Sequence, residues 1–170
     1  QAADSGRVAV RHAQGSVTYT ALGAWGDAIA AHLGPVRDAV IGIALPRGTA
    51  MIAAWLGCLK AGAAYLPLDP AWPEARRDAA LAAAGADRVL DAAMLPARDT
   101  RVTFRPSPVH PLALACVFAT SGSTGQPKAV GVPHRAIPRL ALDQAFAAIG
   151  PGDVVVQAGS AAFDAASWEV

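Results

Sequence analysis

The chain has 170 residues, of which 54% are hydrophobic but only 6% aromatic, and its formal net charge is +1. This length suits one ordinary domain or a large piece of something bigger, and 42 alanines allow a core packed through small side chains. The low charge and the dispersed arginines argue against a nucleic-acid partner. The apolar stretch 50–59 is too short to cross a bilayer, so no membrane partner is expected.

The first residue and the cysteines indicate the setting. Gln1 stands where a complete chain would begin with Met, and no signal peptide is visible, so we expect a segment or a processed product. Cys58 and Cys116 lie in apolar segments and are predicted to be buried free thiols. Metal-ligand spacing is absent among the four histidines, which are His12, His32, His110 and His134. A reducing, cytoplasmic setting fits these features.

Glycines divide the chain into alternating strands and helices. Helices are predicted at 20–33, 48–61, 73–84 and 135–149, and each is followed by a glycine suited to a left-handed cap: Gly34, Gly62, Gly85 and Gly150. Strands are predicted at Arg7–Val10, Ala39–Leu45, Arg88–Leu90, Leu112–Phe118 and Val154–Val156. Because apolar strands alternate with helices, the predicted fold class is α/β, with mostly parallel sheets flanked by helices.

Helix starts and a linker complete this outline. Thr20 and Thr49 are predicted to cap the first two helices, and Pro73 suits the first turn of the third. The helix at 48–61 is apolar almost all round and should be buried. The segment from Met94 to Pro111 carries four prolines and no helical period. Residues 1–110 are therefore predicted to form a first α/β unit and residues 111–170 to begin a second.

Residues 120–128 read Thr-Ser-Gly-Ser-Thr-Gly-Gln-Pro-Lys and follow an apolar run. Gly122 and Gly125 permit close backbone approach, and hydroxyl and N–H donors together with Lys128 would form an anion-binding cradle. Ligands of open parallel sheets bind beyond the carboxyl ends of the strands, where this loop and the later stretch 159–168 are predicted to lie. The composition therefore predicts a phosphate-binding loop.

No single motif settles the role of this loop from the residues alone. The Walker pattern fails, since Pro127 occupies a glycine position and Ala129 follows the lysine. The hydrolase elbow around Ser123 fails because Ser121 stands where its first glycine belongs. A Ser/Gly-rich surface turn is the plainest interpretation.

Four stretches, in this order and at these spacings, resemble successive core motifs of the adenylation domains of nonribosomal peptide synthetases. They are residues 17–22, 59–70, 120–128 and 163–169. The adenylate-forming superfamily to which these domains belong also includes acyl-CoA ligases and luciferases. The resemblance covers essentially all 170 residues and corresponds to the N-terminal portion of such a domain. The stretches at 59–70 and 163–169 point to the amino-acid-activating branch.

The resemblance implies that ATP and Mg²⁺ activate an amino acid as its adenylate, and that the acyl group then passes to a carrier protein as a phosphopantetheine thioester. Implied partners are the amino-acid substrate, a peptidyl carrier protein domain, a condensation domain of the same assembly line and an MbtH-like protein. The residues implied to hold the β- and γ-phosphates are Thr120, Ser121, Gly122, Ser123, Thr124, Gly125 and Lys128.

The resemblance also assigns substrate contacts. Asp164 resembles the aspartate that pairs with the substrate's α-ammonium group; a helix N-cap is the alternative. Ala165 and Trp168 match positions that line the side-chain pocket, and a small residue beside an aromatic wall predicts a hydrophobic substrate such as leucine or phenylalanine. Core packing is the alternative for Trp168. The chain carries no residue that matches a catalytic or metal-binding position of the family.

Some residues depart from the family pattern. Ala129 stands where the family usually has glycine, and Cys116 and Ala119 where it often has tyrosines. We expect phosphate binding to survive these changes, and a packing or helix-start role for His134. The family's adenine pocket, magnesium-chelating acid, ribose-binding aspartate and catalytic lysine have no match here, so residues 1–170 alone are expected not to form an adenylate. Alternatives are an acyl-CoA-type ligase, a serine hydrolase using Ser123, or a non-catalytic remnant or interaction module.

Overall fold

A computed structural model describes residues 6–13, 15–100, 102–106, 108–121, 127–142, 149–150 and 152–170. These residues form a five-stranded sheet with helices on both faces and a separate two-stranded antiparallel sheet. The elements in chain order are β1 (Val8–His12), β2 (Gly15–Thr18), α1 (Tyr19–Leu33), β3 (Val40–Ile43), α2 (Thr49–Ala61), β4 (Ala64–Pro67), α3 (Glu74–Ala84), β5 (Arg88–Leu90), a 3₁₀ turn (Ala92–Met94), β6 (Leu114–Ser121), β7 (Pro127–Pro133), α4 (Ala136–Ala141) and α5 (Ala166–Glu169).

The strand order of the large sheet is β5-β3-β4-β6-β7. The first four of these strands run parallel, and only β7, at one edge, is antiparallel to its neighbour. The predicted α/β class with a mostly parallel sheet is thus confirmed. Strand β6 pairs with β4, so the sheet is continuous across residue 110. The division into units 1–110 and 111–170 stays a prediction.

The carboxyl ends of the three long helices lie where the glycines predicted them. Gly34, Gly62 and Gly85 follow α1, α2 and α3 with φ of 73°, 89° and 65°. Backbone with positive φ is nearly free of steric cost for glycine alone. The amide of Gly62 donates to the carbonyls of Cys58 and Leu59, as expected for a left-handed cap.

The predicted helix caps at the amino ends are wrong by one or two residues. Thr18 caps α1, because it is still extended (ψ 161°) and its Oγ1 accepts the Ala21 amide at 3.2 Å. Gly48 precedes α2, and Thr49 is already the first helical residue. Pro73 immediately precedes α3, in agreement with its predicted place at the helix start.

The prediction fails most in the last third of the chain. Val154–Val156 forms no strand, and Val154 and Val156 are 74% and 72% exposed. Branched residues favour strands only where a neighbouring strand can pair with them, and no described strand does so here. Helix α4 ends at Ala141 because Leu142 is extended, while Gly150 lies in a turn closed by Asp153. The predicted helix region 143–148 lies outside the described residues.

The core has two parts, one on each face of the sheet. Helices α1 and α2 cover one face with a large apolar cluster, and α3 covers the other with a smaller one. Strand β4 alternates between them: Tyr65 faces the first cluster, and Ala64 and Leu66 face the second. As predicted, α2 is largely buried, and Cys58 and Cys116 are buried free thiols. Within the described part, no helix is long and apolar enough to span a bilayer.

Candidate functional site

The predicted phosphate loop connects two adjacent strands, β6 and β7, as a hairpin. Thr120 pairs with Lys128 and Ser121 with Pro127, and the Thr120 hydroxyl donates to the Lys128 carbonyl at 3.2 Å. The prediction of a nine-residue loop is therefore corrected, since its first two and last two residues belong to strands. Four predicted phosphate contacts lie outside the described residues: Gly122, Ser123, Thr124 and Gly125.

Lys128 and Thr120 are exposed at the base of this hairpin. The chain's other lysine, Lys60, lies away from the loop and joins α2 to α1. Its Nζ lies 2.7 Å from the Asp27 carboxylate and 2.9 Å from the Gly23 carbonyl oxygen. Because a hairpin register fixes where a side chain leaves the backbone, Lys128 is held beside the loop. The two lysines thus have separate positions and separate surroundings.

Helix α3 approaches the other side of the hairpin base. The Arg76 guanidinium stacks over the Trp72 ring, 4.1 Å from its centroid, a cation–π contact. A small open pocket separates these two side chains from the strands; it is lined by Trp72, Arg76, Ala80, Ala119, Thr120 and Pro127. Trp72 and Ala80 belong to the smaller apolar cluster, on the face of the sheet opposite α1 and α2.

A second group of residues follows the carboxyl ends of β3 and β4. Arg47 follows β3, and its Nη1 donates to the carbonyl oxygens of Ala158 at 2.7 Å and Gly159 at 3.3 Å, with that of Gln157 at 3.5 Å. Charge-assisted hydrogen bonds of this length are the stronger kind. Arg47 therefore connects the edge of the sheet to a segment more than a hundred residues later in the chain.

Asp69, which follows β4, contacts the same segment. Its Oδ2 accepts the Ser160 hydroxyl at 3.4 Å, and its Oδ1 accepts the Ala71 amide at 3.0 Å. From the other direction, Glu169 Oε1 accepts the Gly159 amide at 3.4 Å. We call the bonds of Arg47, Asp69 and Glu169 to residues 157–160 the edge contacts.

The predicted substrate residues follow directly after the edge contacts. Asp164 is exposed, and its Oδ1 accepts the neighbouring Ala165 amide at 2.9 Å just before α5. Ala165 is exposed and Trp168 half-buried. Residues three and four apart lie on the same face of a helical turn. Trp168 therefore lies on the same face of this turn as Asp164 and Ala165. The arrangement suits the predicted pocket wall, and the assignment of all three to substrate binding stays a prediction.

A buried group of side chains lies beneath α5. Trp55 and Tyr65 stack with ring centroids 4.6 Å apart and planes 8° apart. Burial, followed by the neighbouring Cys116 thiol, raises the pKa of Tyr65, whereas contact with the Ser167 hydroxyl lowers it. Burial likewise raises the pKa of Cys116. This group is therefore uncharged at neutral pH, and α5 rests on a neutral, apolar support through Ala166, which is fully buried.

Several polar atoms near this segment are buried without a hydrogen-bond partner among the described residues. They are Gln157 Nε2, Ser167 Oγ and Glu169 Oε2. Although the Ser167 hydroxyl influences Tyr65, its geometry does not meet that of a hydrogen bond.

His134, in the turn before α4, has a pKa lowered by burial, which fits the predicted packing role. In the described part of the chain, no group of three or more His, Cys, Asp and Glu side chains could hold a metal ion by itself.

Sequence reasoning gave no role to Arg47, Asp69 or Ser160. A signal was available for Arg47, which follows the predicted strand Ala39–Leu45, and for Ser160, which lies in the stretch 159–168 predicted at a strand end, where ligand sites lie. Asp69 carried no such signal because β4 was not predicted, and the strand predicted before Ser160 does not form. The structure replaces that strand with an irregular segment that reaches the same edge through side-chain contacts.

The chain thus combines a mostly parallel sheet, a Ser/Thr/Gly-rich stretch that follows β6 and an exposed aspartate before α5, which are the features expected of an adenylate-forming enzyme. A family model described as AMP-binding enzyme matches residues 1–170, and the chain belongs to this family.

The similar proteins agree with that assignment. The chain is 40% identical over 167 residues to CymA of Salinispora arenicola, described as a probable non-canonical nonribosomal peptide synthetase, with 96% of this chain and 2% of CymA covered. It is 37% identical over 188 residues to malpibaldin synthetase of Mortierella alpina, with 96% and 3% covered. The chain therefore spans only a small fraction of these relatives.

Solved structures of the same kind match over nearly the whole chain. The N-terminal subdomain of NpsA from Klebsiella oxytoca, in complex with anthranilyl-AMSN, has a TM-score of 0.84 and 30% identity, covering 95% of this chain and 46% of that one. An artificially fused adenylation–PCP di-domain, NpsA-ThdA, has a TM-score of 0.69 and 29% identity, covering 80% and 31%. The fold is thus that of the N-terminal subdomain of an adenylation domain.

Proposed function

We propose that the chain supplies the phosphate loop and the amino-acid-binding segment of a domain that activates an amino acid with ATP. The observation that carries this proposal is that the hairpin and the segment before Asp164 both lie at the carboxyl edge of the parallel sheet. The hairpin leaves the carboxyl end of β6, and the segment before Asp164 contacts the residues that follow β3 and β4. The similarity to CymA and malpibaldin synthetase and to the NpsA complex with anthranilyl-AMSN supports the proposal.

In the proposed first step, a carboxylate oxygen of the substrate attacks the α-phosphorus of ATP. The bond from that phosphorus to the bridging oxygen breaks, and pyrophosphate leaves an aminoacyl adenylate behind. Negative charge moves onto pyrophosphate, so donors fixed around it lower the barrier. Mg²⁺ bound with the nucleotide would share this charge. The proposed donors are Thr120, Ser121, Gly122, Ser123, Thr124, Gly125 and Lys128.

In the proposed second step, the phosphopantetheine thiolate of a carrier domain attacks the acyl carbon, AMP leaves and a thioester forms. The match to a fused adenylation–PCP di-domain supports a carrier partner. A condensation domain and an MbtH-like protein are further proposed partners, and the cytoplasm is the proposed compartment. Residues 1–170 by themselves are proposed to be inactive, because they match none of the family's adenine- and ribose-binding residues.

The proposed substrate is a hydrophobic amino acid. Asp164 would pair with its α-ammonium group, while Ala165 leaves space beside the Trp168 ring. The support beneath α5 is apolar and uncharged, which disfavours a charged substrate side chain. Leucine and phenylalanine are the first candidates.

The test is amino-acid-dependent ATP–pyrophosphate exchange by the enzyme that contains this chain. Wild type is compared on leucine and phenylalanine and on the same acids without the α-amino group. We expect Asp164→Asn to raise the KM for the amino acid by about 10-fold or more, because a charge-assisted bond is lost. The variant should also lose its preference for the amino acid over its desamino analogue. The matched control is Asp87→Asn, an exposed aspartate before β5 at the opposite edge of the sheet.

The same assay separates the alternatives. Equal exchange with the desamino acids would contradict the role of Asp164 and favour an acyl-CoA-type ligase. A non-catalytic remnant or interaction module would show no exchange with any acid. A charged amino acid as the best substrate would contradict the hydrophobic pocket, and labelling of Ser123 by a fluorophosphonate would favour a hydrolase.

A further inference from the structure

Arg47 lies outside every motif that carried the family resemblance, yet it makes the longest-range side-chain contacts described at the candidate site. Its guanidinium converges on three consecutive backbone carbonyls, of residues 157, 158 and 159. Residues 153–158 have no helix or strand, so their carbonyls have no ladder to bond with. Arg47 supplies the donor that such carbonyls otherwise find in secondary structure.

The exposed substrate segment lies between two points of attachment. The first is the edge contacts at 157–160, followed by Ala161, which is 8% exposed. The second is Ala166, which is fully buried against the core. Between them, Phe163, Asp164 and Ala165 are exposed. The position of the Asp164 carboxylate therefore depends on both points, and the first is made of side-chain hydrogen bonds.

Two of the edge contacts, those of Arg47 and Asp69, come from the same edge of the sheet. Arg47 and Asp69 follow neighbouring parallel strands, which the register pairs directly up to Ile43 and Pro67. The two side chains thus leave the sheet side by side and meet the segment at adjacent residues, Gly159 and Ser160. Both residues make charge-assisted bonds, but the shortest bond of Arg47 is 2.7 Å and that of Asp69 to Ser160 is 3.4 Å, so Arg47 carries the larger share of the attachment.

We propose that Arg47 is a positioning residue for amino-acid binding: it holds the 157–160 segment so that Asp164 faces the substrate's α-ammonium group. The inference rests on the proposed function and deepens it. The described hydrogen bonds of Arg47 all go to residues 157–159, on the side of Asp164, so its effect should fall on amino-acid binding rather than on ATP binding. A misplacement of about 1 Å at such a group can cost on the order of 100-fold in activity.

The experiment compares Arg47→Gln, Arg47→Lys and wild type in the enzyme that contains the chain. For Arg47→Gln we expect the amino-acid KM to rise about 10-fold or more, while the ATP KM and the melting temperature stay close to wild type. Arg47→Lys should recover part of the loss, because it keeps the charge but not the planar fork. The matched control is Arg37→Gln, an exposed arginine before β3 at the opposite edge.

Hydrogen exchange read by mass spectrometry tests the positioning without relying on activity. In Arg47→Gln, amides of residues 159–169 should exchange faster, whereas those of α2 should not change. Unchanged exchange at 159–169, or equal increases in both KM values, would overturn the proposal. A fall in melting temperature with an unchanged amino-acid KM would show a purely structural role and would also overturn it. If wild type itself shows no amino-acid-dependent pyrophosphate exchange, the proposed function fails while the hydrogen-exchange result still decides the role of Arg47.

Discussion

At the scale of single residues, the two lysines of the chain have different surroundings and different proposed roles, one in stability and one in ATP binding. Lys60 belongs to a stretch that marks the family, yet its described contacts are structural: it pairs with Asp27 and bonds the Gly23 carbonyl. Lys128 is exposed beside the loop. A stretch that marks the family can therefore contain a lysine whose described contacts join two helices of the fold.

Replacing each lysine by methionine should separate these tasks. Lys60→Met is expected to lower the free energy of unfolding by about 1–2 kcal/mol, because a partly buried ion pair and its hydrogen bond are lost. Lys128→Met should change it by less than about 0.5 kcal/mol but raise the KM for ATP roughly 10-fold. Denaturant unfolding and pyrophosphate exchange measure the two effects. An ATP defect in Lys60→Met that equals that of Lys128→Met would contradict the division.

Cys58 makes stability depend on pH in the alkaline range. Burial raises the pKa of its thiol from 9.0 to about 12, although Arg88 lowers it slightly. The folded-state pKa lies above the unfolded one, so this contribution to stability is complete below about pH 9 and is lost as the pH rises toward about 12.

The comparison that isolates this effect is wild type against Cys58→Ala. As the pH rises from 9 to 10, wild type should lose stability relative to the variant by about 1 kcal/mol, since a pKa difference of one between the folded and unfolded states corresponds to about 1.4 kcal/mol. Urea unfolding at several pH values measures the difference. A difference that does not change with pH would show that the thiol is not buried as described.

At the scale of elements, the crossing of α1 and α2 depends on two glycines that face each other. A Cβ at Gly57 would lie 2.5 Å from Ile29 Cγ2 and 2.7 Å from Ile29 Cβ, and a Cβ at Gly26 would lie 3.2 Å from Leu56 Cβ. Ile29 is fully buried, so it has little room to move. The helices pack this closely because Gly26 and Gly57 have no side chain where Ile29 and Leu56 cross them.

Gly57→Ala should therefore destabilise the protein by about 1–3 kcal/mol, the usual cost of overpacking a core. Gly23→Ala is the matched control, since its Cβ would meet nothing within 4 Å and α1 continues through it. That change should stabilise by up to about 1 kcal/mol, because alanine favours a helix over glycine. Thermal unfolding of both variants checks this, and equal effects would refute the close crossing.

The elements also show what a sequence pattern can and cannot predict. Helices α1, α2 and α3 were predicted within a residue or two, because a glycine with positive φ ends each one. The sequence pattern did not predict strands β2, β4 and β7. Strand β4 directly follows the cap of α2, and β7 is mostly exposed, so neither shows a strand signal separate from its surroundings.

At the scale of the whole molecule, the alternation of predicted strands and helices was enough to predict the fold class. It did not predict that residues 157–160 would contact the residues that follow β3 and β4. Residues 120–128 and 159–168 were predicted to lie at strand ends, and the parallel sheet confirms this for the first of them. The second reaches the edge through Arg47 and Asp69, which are 111 and 91 residues away from their partners Ala158 and Ser160. Contacts between side chain and irregular backbone leave no periodic pattern to detect.

The hairpin that carries the phosphate loop has one more consequence. The described residues that follow the loop, from Pro127 onward, turn back as strand β7 rather than as a helix. In Walker-type sites a helix N-terminus contributes about half a positive charge from its aligned peptide dipoles. Strand β7 supplies no such macrodipole, so the positive field at the proposed phosphate loop would come from Lys128, from the N–H and hydroxyl donors of the loop and from ions bound with the nucleotide. Such a field is screened by dissolved salt far more readily than a helix end buried in the fold.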